Sequence, residues 1–190
     1  MQTDVVNWIK SQGIKFLENL GISQGQTVVD FGCNVGHYTI PAAKLVGENG
    51  KVYAIDKDAQ VLDKLKKTAN SENLQNIVVL HNFSAEPKID LPDEIADAAL
   101  LYDILHYLST AERNAVYREI RRVLKNNALL SVYPKHCKSD MPMWHLAEMS
   151  LDDIAREIEI TGFRSEGRFY KELLHDDYLD KGNILLFRKK

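Results

Sequence analysis

Val28-Val29-Asp30-Phe31-Gly32-Cys33-Asn34-Val35-Gly36 joins a β-branched run to a turn that carries two glycines. Thr27 to Asp30 has strand composition, and apolar residues continue at helical spacing beyond Gly36 through Ala43 to about Val46. The order is therefore strand, glycine-bearing loop, helix. In an open α/β sheet, ligands bind beyond the carboxyl ends of the strands, where the first such turn lies. Gly32 and Gly36 let the backbone bend sharply and a ligand approach it, and the helix that follows offers N–H groups at its positive end. Asn34 is among the few non-glycine residues that tolerate positive φ. The spacing is not the GxGxxG of dinucleotide sites, because Gly32 and Gly36 enclose Cys33, Asn34 and Val35.

Outward from this stretch, the same alternation repeats. An amphipathic helix at about 4–20, with Val6, Ile9, Phe16, Leu17 and Leu20 in phase, precedes it and stops at Gly21. Lys51 to Ile55 is a second strand ending at Asp56, and Leu62, Leu65 and Ala69 mark the next helix face. Ile77 to Leu80 and Ala98 to Tyr102 are strands three and four, both expected to be buried on two faces as parallel strands are. Ser109 with Glu112 forms a capping box before Val116, Ile120, Val123 and Leu124. Leu129 to Tyr133 is strand five. Ser150 with Asp153 caps a further helix that ends by Gly162, and strands follow at Phe163 to Tyr170 and Ile184 to Arg188. The expected fold is one α/β domain over 1–190: a doubly wound, mainly parallel seven-stranded sheet, helices on both faces, the last strand antiparallel.

The chain has 190 residues, 45% hydrophobic and 27% charged, with a formal net charge of -3. That balance gives no broad attraction to phosphate backbones, so no nucleic-acid partner is expected. No apolar run approaches the roughly 18 residues that a membrane span needs. Two cysteines, Cys33 and Cys137, supply neither a disulfide framework nor a CxxC metal spacing, which points to a reducing, cytoplasmic setting. No metal site is expected: the acidic turn His175-Asp176-Asp177-Tyr178 reads as a solvated hairpin loop. The cationic runs Lys64, Lys66, Lys67 and Arg118, Arg121, Arg122 read as solvated helix faces.

Two acids stand at strand ends beside the turn. Asp30 can receive hydrogen bonds from loop amides or from a ligand ammonium group and repels phosphate, while Asp56 sits where a carboxylate accepts both hydroxyls of a ribose. Residues 28–36 resemble the first motif of the class I S-adenosylmethionine-dependent methyltransferases, with Asn34 as the departure from its alternating glycines. Val52-Tyr53-Ala54-Ile55-Asp56 resembles that family's second-strand motif, and Ala96 to Leu108, containing Tyr102-Asp103-Ile104-Leu105-His106, its fourth-strand motif. The resemblance implies S-adenosylmethionine as cofactor. It implies that Asp30 and the loop of Gly32, Asn34 and Gly36 hold the methionine part, that Asp56 binds the ribose, and that Phe83 and Ser84 flank adenine. The family often has an acidic residue where Ser84 aligns.

Methyl transfer from a sulfonium is an in-line displacement, catalysed chiefly by alignment and exclusion of water, and a base is needed only for some acceptors. The ends of strands four and five nominate Tyr102, Asp103, His106, Tyr133, Lys135 and His136, with His106 first and Tyr102 beside it. Cys33 is expected to pack and not to act as a nucleophile. Trp144, with Met141, Met143 and Met149, suits either a substrate lid or helix packing, packing being favoured. The expected function is methyl transfer to a small-molecule acceptor, closest in character to the quinone-biosynthesis methyltransferases. A non-catalytic S-adenosylmethionine-binding protein is the alternative. A nicotinamide dehydrogenase is disfavoured by the loop spacing.

Overall fold

The computed structural model describes residues 3–82 and 88–190. Seven strands form a sheet in the order β3-β2-β1-β4-β5-β7-β6: β1 Thr27–Phe31, β2 Lys51–Asp56, β3 Ile77–His81, β4 Ala96–Tyr102, β5 Leu124–Tyr133, β6 Phe163–His175 and β7 Tyr178–Lys189. Pairing is parallel for β1–β2, β2–β3 and β4–β5 and antiparallel for β5–β7. This is the mainly parallel, doubly wound sheet that the strand–helix alternation predicts, closed by an antiparallel last strand.

The chain divides into two compact units. One comprises Met1–Phe83 with Glu172–Asp180. Its helices are α1 Thr3–Asn7, a π-helical turn Trp8–Gln12, α2 Gly13–Asn19, α3 Thr39–Val46 and α4 Ala59–Ser71. Leu62, Leu65 and Ala69 bury as the period of α4 requires, and each leucine contributes about 1.5–3 kcal/mol by leaving water. The N-terminal segment departs from a single regular helix. The π turn advances the phase, so Val5, Trp8, Ile9, Gly13, Leu17 and Leu20 are buried while Val6 is only half-buried. Strand β3 is half-buried along its whole length, against the expectation of two covered faces, because it stands at the edge of the sheet.

The other unit comprises Ser84–Lys171 with Lys181–Lys190. Here α5 Thr110–Val123 and α6 Leu151–Glu159 each begin with a formed capping box, at Ser109/Glu112 and Ser150/Asp153. Strand β4 is almost wholly buried, and Ala98 to Tyr102 align in register with Leu129 to Tyr133 of β5. Leu124 opens β5 instead of ending α5, and the exposed Lys125, Asn126 and Asn127 carry the strand outward. Strands β6 and β7 extend beyond the predicted ranges, β6 through the buried Leu173 and Leu174 to His175 and β7 back to Tyr178.

Candidate functional site

In the first unit the loop after β1 is a closed set of hydrogen bonds. The N–H groups of Gly32 and Cys33 both donate to the Ile55 carbonyl of β2, at 2.8 and 3.0 Å, and the Gly36 N–H donates to the Cys33 carbonyl at 2.9 Å. The Asn34 N–H donates to Asp56 Oδ2 at 2.9 Å, and Asp56 Oδ1 accepts from the Asp58 N–H at 3.0 Å. Asp56 therefore ties the end of β2 to the loop while each of its oxygens keeps a further lone pair. Gly32, Asn34 and Gly36 have φ of 79°, 47° and 95°, so the asparagine takes the left-handed conformation predicted for it. A Cβ on Gly36 would lie 2.3 Å from Leu65 Cδ1, so this glycine also admits α4 to the loop. The N–H groups of Gly32 and Gly36 are engaged in shaping the turn, and Gly36 is buried against α4.

Asp30 lies beneath this turn, 3% exposed, accepting a 2.6 Å hydrogen bond from Thr39 Oγ1 at the start of α3. Burial pushes its carboxyl up to about 7; the Thr39 bond opposes the shift and the nearby Asp56 charge adds to it. Burial, then the charges of Asp30 and Asp56, also push the Cys33 thiol far up, so it is no nucleophile, as its place in the loop suggested.

Sequence reasoning missed what holds the far end of the loop. Trp8 Nε1–H donates to the His37 carbonyl at 3.0 Å, and Lys44 of α3 reaches back to the Ile9 carbonyl at 3.3 Å. The π turn at Trp8–Gln12 thus supplies one contact to the residue after Gly36 and receives another from the following helix. Tyr38 packs edge-on to Trp8 at 5.3 Å and donates its hydroxyl to the Leu174 carbonyl at 2.8 Å. His37 Nε2 lies 3.8 Å from Asp177 Oδ1, so the acidic hairpin turn docks on the loop exit and is more than a solvated loop. An irregular helical phase around Trp8 was the one signal available.

In the second unit the ends of β4 and β5 carry a different constellation. Asp103 Oδ1 stands 3.6 Å from His106 Nδ1 and 3.9 Å from His136 Nε2, and the two imidazoles meet edge to face at 4.6 Å. His136 Nδ1 contacts the Met141 carbonyl at 2.9 Å, so that nitrogen carries the proton and Nε2 faces Asp103. Trp144 lies nearly parallel to His106 at 5.3 Å and touches Tyr107 at 4.8 Å. His106 is 2% exposed under this cover, whereas Trp144 is 59% exposed. Trp144, in the 3-10 turn Trp144–Leu146, thus packs on the 3-10 turn Leu105–Tyr107 and covers its histidine. Lys135 is buried on Asp140 at 2.7 Å. The Tyr102 hydroxyl is engaged with Ser131 Oγ at 2.7 Å inside the core. Phe83 and Ser84, expected to flank adenine, lie outside the described residues.

A buried carboxylate that makes no ion pair among the described residues, under a glycine-bearing turn, suits a ligand bearing a positive group. Asp56, with lone pairs to spare at the neighbouring strand end, suits hydroxyls. Known proteins resemble the chain. A family model described as a methyltransferase domain matches residues 28–127. The solved structure of a SAM-dependent methyltransferase from Aquifex aeolicus superposes with a TM-score of 0.77 at 27% identity, covering 97% of this chain and 93% of that one. A probable cobalt-precorrin-6B C(15)-methyltransferase (decarboxylating) of Saccharolobus solfataricus is 38% identical over 64 residues, 34% of this chain and 32% of the relative. A demethylmenaquinone methyltransferase of Lactobacillus johnsonii is 31% identical over 120 residues, 62% of this chain and 47% of the relative. The chain spans about a third to about half the length of these curated relatives. Among the described residues no helix is long and apolar enough to cross a membrane.

Proposed function

This chain belongs to the class I S-adenosylmethionine-dependent methyltransferases, and from that membership we propose that it transfers a methyl group from S-adenosylmethionine to a small-molecule acceptor in the cytoplasm. The observation that carries the reading is Asp30: a carboxylate buried under the β1 loop and held near neutrality, ready to take a cationic ligand group as its counter-charge. Bound there, the cofactor supplies an electrophilic methyl on sulfur.

The chain's own residues do the rest. Gly32, Asn34 and Gly36 shape the backbone surface for the methionine part, and Asp56 accepts the ribose hydroxyls without releasing the Asn34 N–H. His106 takes the acceptor's proton, oriented by Asp103, and the aromatic cover of Tyr107 and Trp144 keeps water from the imidazole. Tyr102 stands behind as part of the strand end, not as an acid or base. A small-molecule acceptor is supported by the net charge of -3 and by relatives named for precorrin and quinone substrates.

Calorimetric titration with S-adenosylhomocysteine, with NADH as control, tests the cofactor. Binding of the first alone is expected, and binding of NADH alone overturns the reading. The second reading, a non-catalytic cofactor-binding protein, is favoured by the near-complete burial of His106. S-adenosylhomocysteine formation with any member of a hydroxyl, thiol and amine panel eliminates it.

A further inference from the structure

Helix α5 carries four arginines, at 113, 118, 121 and 122, and they divide into two pairs. Arg113 is fully committed: it forks onto Glu157 at 2.7 and 2.8 Å and donates to the Leu108 carbonyl at 2.8 Å. Arg122 is equally committed, to Glu119 and Asp93 and to the carbonyls of Ile89 and Leu91, so it is a structural clamp and not the solvated residue that the sequence suggested. Arg118 and Arg121 make no ion pair or hydrogen bond with any described residue.

Yet Arg121 is built into place. Its Nε is buried without a partner, and its side chain crosses Gly162, whose φ of 100° and whose open α-carbon leave room for it. A Cβ at position 162 would lie 2.3 Å from that Nε and 2.9 Å from Cδ. Asn114, Arg118 and Arg121 share one face of α5, and with Ile160 and Thr161 beyond α6 they line a cleft of about 580 Å³. Ile160, 74% exposed, is an apolar wall at its edge.

Two guanidinium groups that meet no carboxylate among the described residues, in a chain whose net charge is -3, make a local positive site against the overall balance. Their planar forks match a tetrahedral dianion better than a single-charged carboxylate, because each can take two oxygens. Two cations are too few for a nucleic-acid backbone, whose binding draws on many phosphate contacts. We propose that this cleft is a second ligand site, taking a small organic phosphate whose head lies between Arg118 and Arg121 and whose apolar body rests on Ile160. The site is independent of the methyl-transfer reading, since every residue in it lies outside the loop and the histidine cluster.

Calorimetry of the full chain at low ionic strength tests this with phenyl phosphate, inorganic phosphate and benzoate as probes. Phenyl phosphate is expected to bind with submillimolar affinity, about three- to tenfold tighter than inorganic phosphate through Ile160 and at least about tenfold tighter than benzoate. Arg118→Ala and Arg121→Met are each expected to weaken it about tenfold or more, with S-adenosylhomocysteine affinity unchanged. The methionine keeps the stem over Gly162; should that variant fail to fold, the exposed Arg118→Ala decides alone. Phenyl phosphate binding that is absent, that survives Arg118→Ala, or that benzoate equals overturns the proposal.

Discussion

Two regions of this molecule put non-helical backbone to use, and they do it with opposite residue choices. The β1 loop places glycine, asparagine and glycine at φ of 79°, 47° and 95°, residues for which that conformation costs little. The histidine cluster places Met141 and Trp144 at φ of 46° and 47°, where each costs of order 1–3 kcal/mol, beside Asp103 and His136 at 55° and 67°, residue types that enter this region more readily. A loop that works through its backbone can be written in permissive residues. If the cluster works through side chains, as proposed, it needs an aspartate, a histidine and a tryptophan at fixed positions, and the surrounding packing has to hold the strain.

The sharpest way to break the comparison is to make the loop strained. Gly36→Ala adds a Cβ 2.3 Å from Leu65 Cδ1 at a φ that alanine resists, and is expected to cost about 2–4 kcal/mol in urea denaturation. A loss below about 1 kcal/mol would mean that α4 yields and that the loop is not fixed by its glycines.

Asp30 gives the loop a pH signature. Its ordinary carboxyl value is 3.8 and its folded value about 7, so between these the folded state holds a proton that the unfolded chain has released. Stability from this group therefore falls as pH rises from about 4 to about 7 and levels above that. Asp30→Asn is expected to flatten that slope in thermal scans across the window, and an unchanged slope would assign it to other groups.

A smaller effect probes the support of the loop. Trp8→Phe keeps an aromatic ring but removes the donor to the His37 carbonyl, with an expected loss of about 1 kcal/mol and a three- to tenfold weakening of S-adenosylhomocysteine binding. Lost stability with unchanged affinity would make Trp8 a core residue only. The smallest expected change is in the other region: Met141→Gly relieves a left-handed methionine and, after the backbone entropy of glycine, stabilises by about 0.5–1 kcal/mol. If the strain serves the cluster, turnover falls as the melting temperature rises.

The same contrast governs what the sequence discloses. Asp30, Gly32, Asn34, Gly36 and Asp56 are legible because the loop is local and its motif sits between a β-branched run and a helix. His106 is legible as a residue after β4, but its pairing with His136 through Asp103, and the closure of Trp144 over it, join segments about 30 to 40 residues apart that share no pattern. The clamp from Trp8 to His37 spans 29 residues and depends on a π turn, which a 3.6-residue period does not anticipate. The extension of β6 escapes notice for a simpler reason: between Phe163 and Leu173 the strand is exposed or half-buried at the sheet edge, so no alternation leads to the buried Leu173 and Leu174.

The central claim, that the β1 loop and the end of β2 hold the cofactor, is tested most directly by calorimetric titration of S-adenosylhomocysteine into the wild-type protein and Asp56→Ala. The account predicts binding on the order of micromolar that the substitution weakens at least about a hundredfold, with the fold retained. Equal affinity in the two proteins, or none in the wild type, would contradict it.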